Sequence, residues 1–136
     1  MTARYLLDTS VFSQPLLKTP VLKALERWRD AGDTACGVSA VSVAEVEFGL
    51  HLEDRLERWE KYRSLLEGRL EVLPTDAGVW QEFARRKARQ QLLGRVLTDV
   101  DLLITATAAH HGLIVATLNS KDFRKVEGVA WEDWSA

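Results

Sequence analysis

The stretch Thr98-Asp-Val-Asp101-Leu-Leu-Ile-Thr-Ala-Thr-Ala-Ala-His110-His111-Gly112-Leu-Ile-Val-Ala116-Thr117-Leu-Asn119-Ser-Lys-Asp122-Phe123 decides the fold. Thr98 and Asp99 open a helix. Leu102, Leu103, Ile104, Ala106 and Ala109 form its nearly apolar body, and Gly112 suits its C-cap. Leu113–Ala116 is a short continuous apolar run, as expected of a strand buried on both faces. A polar loop carrying Asp122 follows. Helix, buried strand and polar loop are the parts of a parallel α/β unit, since parallel strands are joined by helical crossovers.

Working outward, Arg4-Tyr5-Leu6-Leu7 predicts a buried strand that delivers Asp8 to its C-terminal edge, where Asp8-Thr9-Ser10 forms a turn. From Pro20 to Arg29, Val21, Leu22, Leu25 and Trp28 recur at helical spacing, and the helix closes near Gly32. Thr34–Val38 predicts a second strand, with Ser39 or Ser42 capping the helix that holds Glu45. Glu53–Leu66 predicts a second helix of the same pair, rich in Glu and Arg at spacings of three and four. Arg69–Leu73 predicts a third strand, and Pro74-Thr75-Asp76 caps a helix to about Leu93. Val129–Trp131 is a candidate edge strand. Strands alternating with longer helices predict an α/β protein with a mainly parallel sheet covered on both faces, one domain over residues 1–136.

Composition sets limits on function. With 136 residues, 46% of them apolar, the chain is long enough to bury roughly 68–70% of its unfolded surface without staples. One cysteine, Cys36, excludes an intramolecular disulfide framework and suits a reducing cytosol. No apolar run approaches the roughly 20 residues that span a bilayer, so a cytoplasmic protein is expected. Net charge is −2, from 18 Lys and Arg against 20 Asp and Glu, which argues against a bulk polycation that coats nucleic acid.

Ligands of open parallel sheets bind outside the carboxyl ends of the strands. The predicted elements send Asp8, Glu45, Asp99, Asp101 and Asp122 toward that one edge. Carboxylates brought together repel and need a compensating cation. Oxygen ligands favour hard ions, and Mg2+ takes only one or two protein carboxylates directly, which makes Mg2+ or Mn2+ the natural proposal. Such ions promote phosphodiester hydrolysis. Each acid has a plainer reading: Asp8 as a turn former, Asp99 as a helix cap, Asp122 as a loop acid.

Four segments, Tyr5–Val11, Ser42–Gly49, Asp101–Ala108 with His111-Gly112, and Thr117–Phe123, together resemble the PIN-domain ribonucleases, most closely VapC-type toxins of toxin–antitoxin pairs. The resemblance implies a three-layer α/β/α sandwich with a central sheet of about five strands. It implies Mg2+- or Mn2+-dependent endonucleolytic cleavage of RNA, with Asp8 and Asp101 as leading metal ligands and Glu45 and Asp122 completing the catalytic acidic cluster. Thr9, Ser10, Thr117 and Asn119 match positions that hold the carboxylates by hydrogen bonds, and Asp99 is grouped with them. It also implies a small cognate antitoxin that enters the acidic groove, a homodimer, and a higher toxin–antitoxin assembly. Thr105 stands where alanine is usual, and Leu118 replaces a frequent arginine.

Arg85, Arg86, Arg89 and Arg95 form a basic stretch that either contacts RNA phosphates or is simply a solvated helix face. Trp28, Trp59 and Trp80 sit at apolar helix positions and are read as core rather than as base-stacking platforms. The Glu53–Leu66 arm is long and amphipathic enough to offer a groove to a partner helix. Two other function classes stay open. A Mg2+-dependent phospho-acceptor signalling domain would want adjacent acids after the first strand, where only Asp8 stands, and an acceptor Asp after the third, which ends at Leu73-Pro74. A non-enzymatic partner-binding module explains the amphipathic arm but not the acids.

Overall fold

The computed structural model describes residues 3–136. Five short strands form one sheet in the order β3-β2-β1-β4-β5, and every pairing is parallel. They are β1 Tyr5–Leu7, β2 Cys36–Ser39, β3 Glu71–Leu73, β4 Ile114–Thr117 and β5 Trp131–Asp133. The helices are α1 Thr9–Phe12, α2 Leu22–Ala31, α3 Ala40–Glu53, α4 Leu56–Leu66, α5 Ala77–Leu92, α6 Asp99–His111 and α7 Ser120–Phe123.

Successive residues of a strand point to opposite faces, and the core divides accordingly. Leu7 and Ala116 join a cluster with Phe12, Trp28, Val46, Leu50 and Tyr62, under α2, α3 and α4. Leu6 and Val115 join the opposite cluster with Ile104, Ala108 and Phe123, under α6 and α7. Helices on both faces of a parallel sheet make the three-layer sandwich that was expected.

Most elements lie where the sequence places them, and the departures have local causes. Asp33–Ala35 is a 3-10 turn that postpones β2, because the Asp33 carboxylate is held by Trp28 Nε1 at 2.9 Å and by Arg69 Nε at 2.9 Å. Ser39, rather than Ser42, caps α3 by accepting from the Val41 N–H. The α3–α4 arm breaks at Asp54, which turns left-handed with φ 51°. β3 begins two residues late, at Glu71, and β5 spans Trp131–Asp133 rather than Val129–Trp131. Asp122 lies on the short helix α7 instead of in a loop.

Trp80 is not core: it is 50% exposed. The side of α5 turned inward runs Val79, Phe83, Arg86, Gln90, at intervals of four, three and four, and Trp80 lies about 100° off that stripe. Trp28 and Trp134 are buried. Cys36 is also buried, which pushes its thiol up to about 12 and leaves it inert at neutral pH. No described helix is long and apolar enough to cross a membrane.

Candidate functional site

The strand order reverses direction at β1: the chain runs outward through β2 and β3, then returns to place β4 on β1's other side. The carboxyl ends of β1 and β4 therefore flank a topological switch point, where ligands bind in such sheets. Asp8 follows β1 there, and Thr117 ends β4. The Asp8 N–H donates to the Ala116 carbonyl at 2.9 Å, locking the two strand ends together.

Asp8 is 2% exposed and receives three donors. Thr9 N–H donates to Oδ1 at 2.9 Å, while Ser10 Oγ and Thr117 Oγ1 each donate to Oδ2 at 2.8 Å. The two hydroxyls are fixed in turn. Ser10 Oγ accepts from the Leu118 N–H at 3.0 Å, and Thr117 Oγ1 accepts from the Asn119 N–H at 2.8 Å. A carboxylate offers about four acceptor positions, so one on Oδ1 stays open. Burial still raises the Asp8 pKa above the ordinary carboxylate value, outweighing these donors, and the charge of Asp122 adds to the rise.

Asp101 reaches the cluster from the first turn of α6, where the Thr98 hydroxyl caps the helix by accepting the Asp101 N–H at 3.1 Å. Its pKa is pushed up to about 6, first by burial, then by the charges of Asp8, Asp122 and Glu45, against a hydrogen bond from Thr98 that lowers it. Glu45 stands in the second turn of α3 and is exposed. Thr9 Oγ1 lies 2.6 Å from Glu45 Oε1 and 2.8 Å from Ser42 Oγ, an arrangement satisfied when Thr9 donates to the carboxylate and accepts from Ser42.

Asp101 thus lies within electrostatic reach of Asp8, Asp122 and Glu45, and Asp8 within reach of Asp122. Among the described residues no Lys, Arg or His forms an ion pair with any of them. Nor do three described His, Cys, Asp or Glu side chains close into a protein-only metal cage. That donor set fits Mg2+ or Mn2+, which take one or two carboxylates and fill the remaining positions with water and substrate oxygen.

Asp99 does not join this group. Its carboxylate is exposed and pairs with Lys87 Nζ at 2.9 Å. Asn119 contributes its backbone: its N–H donates to Thr117, and its carbonyl accepts from Asp122 N–H at 3.0 Å. Arg85 and Arg86 pair with Glu82, and Arg89 and Arg95 pair with Glu127.

Residues 5–129 match the family model of the PIN domain. The chain belongs to the PIN-domain family. Its relatives place it with the VapC type, as the four motifs led one to expect. It is 34% identical over 124 residues to VapC ribonuclease Y4jK of Sinorhizobium fredii, covering 86% of this chain and 88% of that protein. It is 27% identical over 135 residues to the tRNA(fMet)-specific endonuclease VapC of Shigella flexneri, covering 97% and 98%. The DNA-bound VapBC of Salmonella typhimurium superposes with a TM-score of 0.78 at 26% identity, covering 97% of this chain and 98% of that one.

In this PIN-domain chain two supporting residues escape a reading of the sequence. Ser42, fully buried, backs Thr9 against Glu45. Gln14, 6% exposed, ties α1 to the segment before α2, its Nε2 donating to the Ser10 carbonyl at 2.8 Å and its Oε1 accepting from the Val21 N–H at 2.7 Å. Gln14 carries no local signal beyond being a polar residue in an apolar stretch, and Ser42 reads only as a candidate helix cap at the head of the second motif segment.

Proposed function

We propose that this PIN-domain chain is a Mg2+- or Mn2+-dependent endoribonuclease, the toxin of a VapBC-type pair, which hydrolyses RNA phosphodiester bonds and is inhibited by a cognate antitoxin. The observation that carries the reading is four converging carboxylates with no protein cation among them, at the switch point of a sheet whose relatives are named ribonucleases. Asp8 and Asp101 would hold the ion. When bound, it supplies Lewis acidity toward water and phosphate.

The chain's own part is orientation. Ser10, Thr117 and the Thr9 N–H hold Asp8 in one rotamer with one acceptor position left open. Thr9 fixes Glu45. Glu45 and Asp122 complete the cluster as proton acceptors that align water against the scissile bond. Substrate phosphate is drawn in once the acids are neutralised.

For the antitoxin, support comes from the α3–α4 arm. A cleft of about 550 Å³ there is lined by His51, Leu56, Trp59 and Arg63, and Phe48, Leu52 and Leu56 are exposed, giving an apolar seat for a partner helix. The VapBC relative supports such a complex, and a homodimer forms part of the same reading. The decisive test incubates the purified chain with structured RNA and Mg2+ or Mn2+. We expect cutting to need the metal and to drop by at least about a hundredfold in Asp8→Ala and in Asp101→Ala, beyond the 10–100-fold typical of supporting groups. Metal-dependent cutting that survives both substitutions overturns the assignment.

A further inference from the structure

A second cleft of about 360 Å³ opens between α5, α6 and the turn after α7, and Leu102, the residue after Asp101, lines it. Its walls include Arg85, Arg86, Arg89, Gln90, Thr105 and Glu127. Thr105 stands one helical turn beyond Asp101, its hydroxyl donating to the Asp101 main-chain carbonyl at 2.8 Å. Three observations point to one kind of occupant.

The first is charge. Glu82 holds Arg85 at 2.6 Å and Arg86 at 3.1 Å, and Glu127 holds Arg89 at 2.7 Å and Arg95 at 3.3 Å. Four guanidinium groups against two carboxylates leave a local excess of two positive charges. The second is accessibility. The side chains of Arg85 and Arg89 are 63% and 59% exposed, whereas Arg86 is 14% exposed and bound also to the Glu127 carbonyl at 2.9 Å, so Arg86 frames the cleft and the other two face solvent. The third is a buried acceptor. Gln90 is 7% exposed, its Nε2 donates to the Lys125 carbonyl at 3.1 Å, and its Oε1 is buried with no partner. A buried acceptor left open asks for an N–H or O–H donor. An anion joined to such a donor is what a nucleotide presents.

We infer that this cleft is a subsite for one nucleotide of single-stranded RNA. The phosphate lies on Arg85 and Arg89, and a base amino group or ribose hydroxyl donates to Gln90 Oε1 once the side chains that cover it part. Glu127 is an internal competitor that the incoming phosphate displaces from Arg89. The inference rests on the ribonuclease reading and adds where the strand beside the scissile bond is gripped.

The test is binding of a short fluorescent single-stranded RNA to the full chain in EDTA across a salt series, so that cleavage does not intervene. Arg85→Ala with Arg89→Ala is expected to weaken binding and to lower the slope of log affinity against log salt by about 1 to 2. Gln90→Leu removes an acceptor without charge, so affinity falls about three- to tenfold with the slope unchanged. Glu127→Gln frees Arg89 and Arg95 and tightens binding several-fold, while Glu71→Gln, on the far edge strand, leaves it unaltered. If Glu127→Gln fails to tighten binding, or the double arginine variant keeps the full slope, the subsite is wrong even where metal-dependent cutting persists. If the unaltered chain binds no RNA in EDTA, the subsite is wrong, whereas the ribonuclease reading stands or falls on the metal-dependent cutting assay above.

Discussion

Asp8 shows how a buried carboxylate is kept usable. Desolvation pushes it toward protonation, three donors push back, and the balance leaves its pKa raised rather than normal. Thr117 is the most buried of those donors, fully enclosed and bound at once to Asp8 and to the Asn119 N–H. Thr117→Val keeps the shape and deletes the hydroxyl, and single-turnover RNA cutting should fall about 10–100-fold, as it does when groups that orient metal ligands are removed. Asp101 makes a pH prediction. Its folded pKa, about 6, lies above the ordinary 3.8, so its contribution to stability is present below 3.8 and is lost as pH rises through 6. In metal-free protein Asp101→Asn should therefore raise Tm clearly at pH 7.5, with a gain that shrinks between pH 6 and pH 4. An equal gain at both ends would show that the carboxyl is not strained by its neighbours.

Among the elements, α5 and α6 set the width of the second cleft. They pack antiparallel: Lys87 near the end of α5 pairs with Asp99 at the start of α6, and the His110 imidazole at the end of α6 lies over Gly78 near the start of α5. A methyl at Gly78 would overlap that ring. Alanine otherwise favours a helix over glycine by roughly 0.5–1 kcal/mol. Gly78→Ala should accordingly lower Tm in the native background and raise it in a His110→Ala background, a sign change that a double-mutant cycle reads directly. The same sign in both would mean that the ring simply swings aside into solvent. Because the inward stripe of α5 ends in Arg86 and Gln90 instead of apolar residues, the two helices cannot close dry at that end, and a cleft results.

For the molecule as a whole, the unpaired acids make stability depend on what binds them. A ligand that binds only the folded state stabilises it by about 2.7 kcal/mol at a hundred times its Kd. Mn2+ should therefore raise Tm at pH 7.5 and raise it less at pH 5, where Asp101 is largely protonated and competes with the metal. The gain should vanish in the Asp8→Asn, Asp101→Asn double variant. Thermal melts with and without Mn2+ at the two pH values check both signs, and a pH-independent gain would place the ion elsewhere.

The sequence by itself determined the alternation of strands and helices, the caps at Asp76 and Thr98, and the delivery of Asp8 and Asp101 to strand and helix ends. These depend on interactions within a few residues, which periodicity and capping chemistry expose. Tertiary structure alone decided what depends on distant partners. The strand order that puts β4 beside β1, and the Thr9 hydroxyl that meets Glu45 across 36 residues, leave no local trace. The same holds for Asp99, which pairs with Lys87 instead of joining the acids, and for Glu127, which neutralises part of a helix face that reads as simply basic. Side-chain pairing across the fold settles where each charge ends up, and a net charge of −2 combines an acidic edge whose carboxylates form no described ion pair with an arginine cleft that has charge to spare.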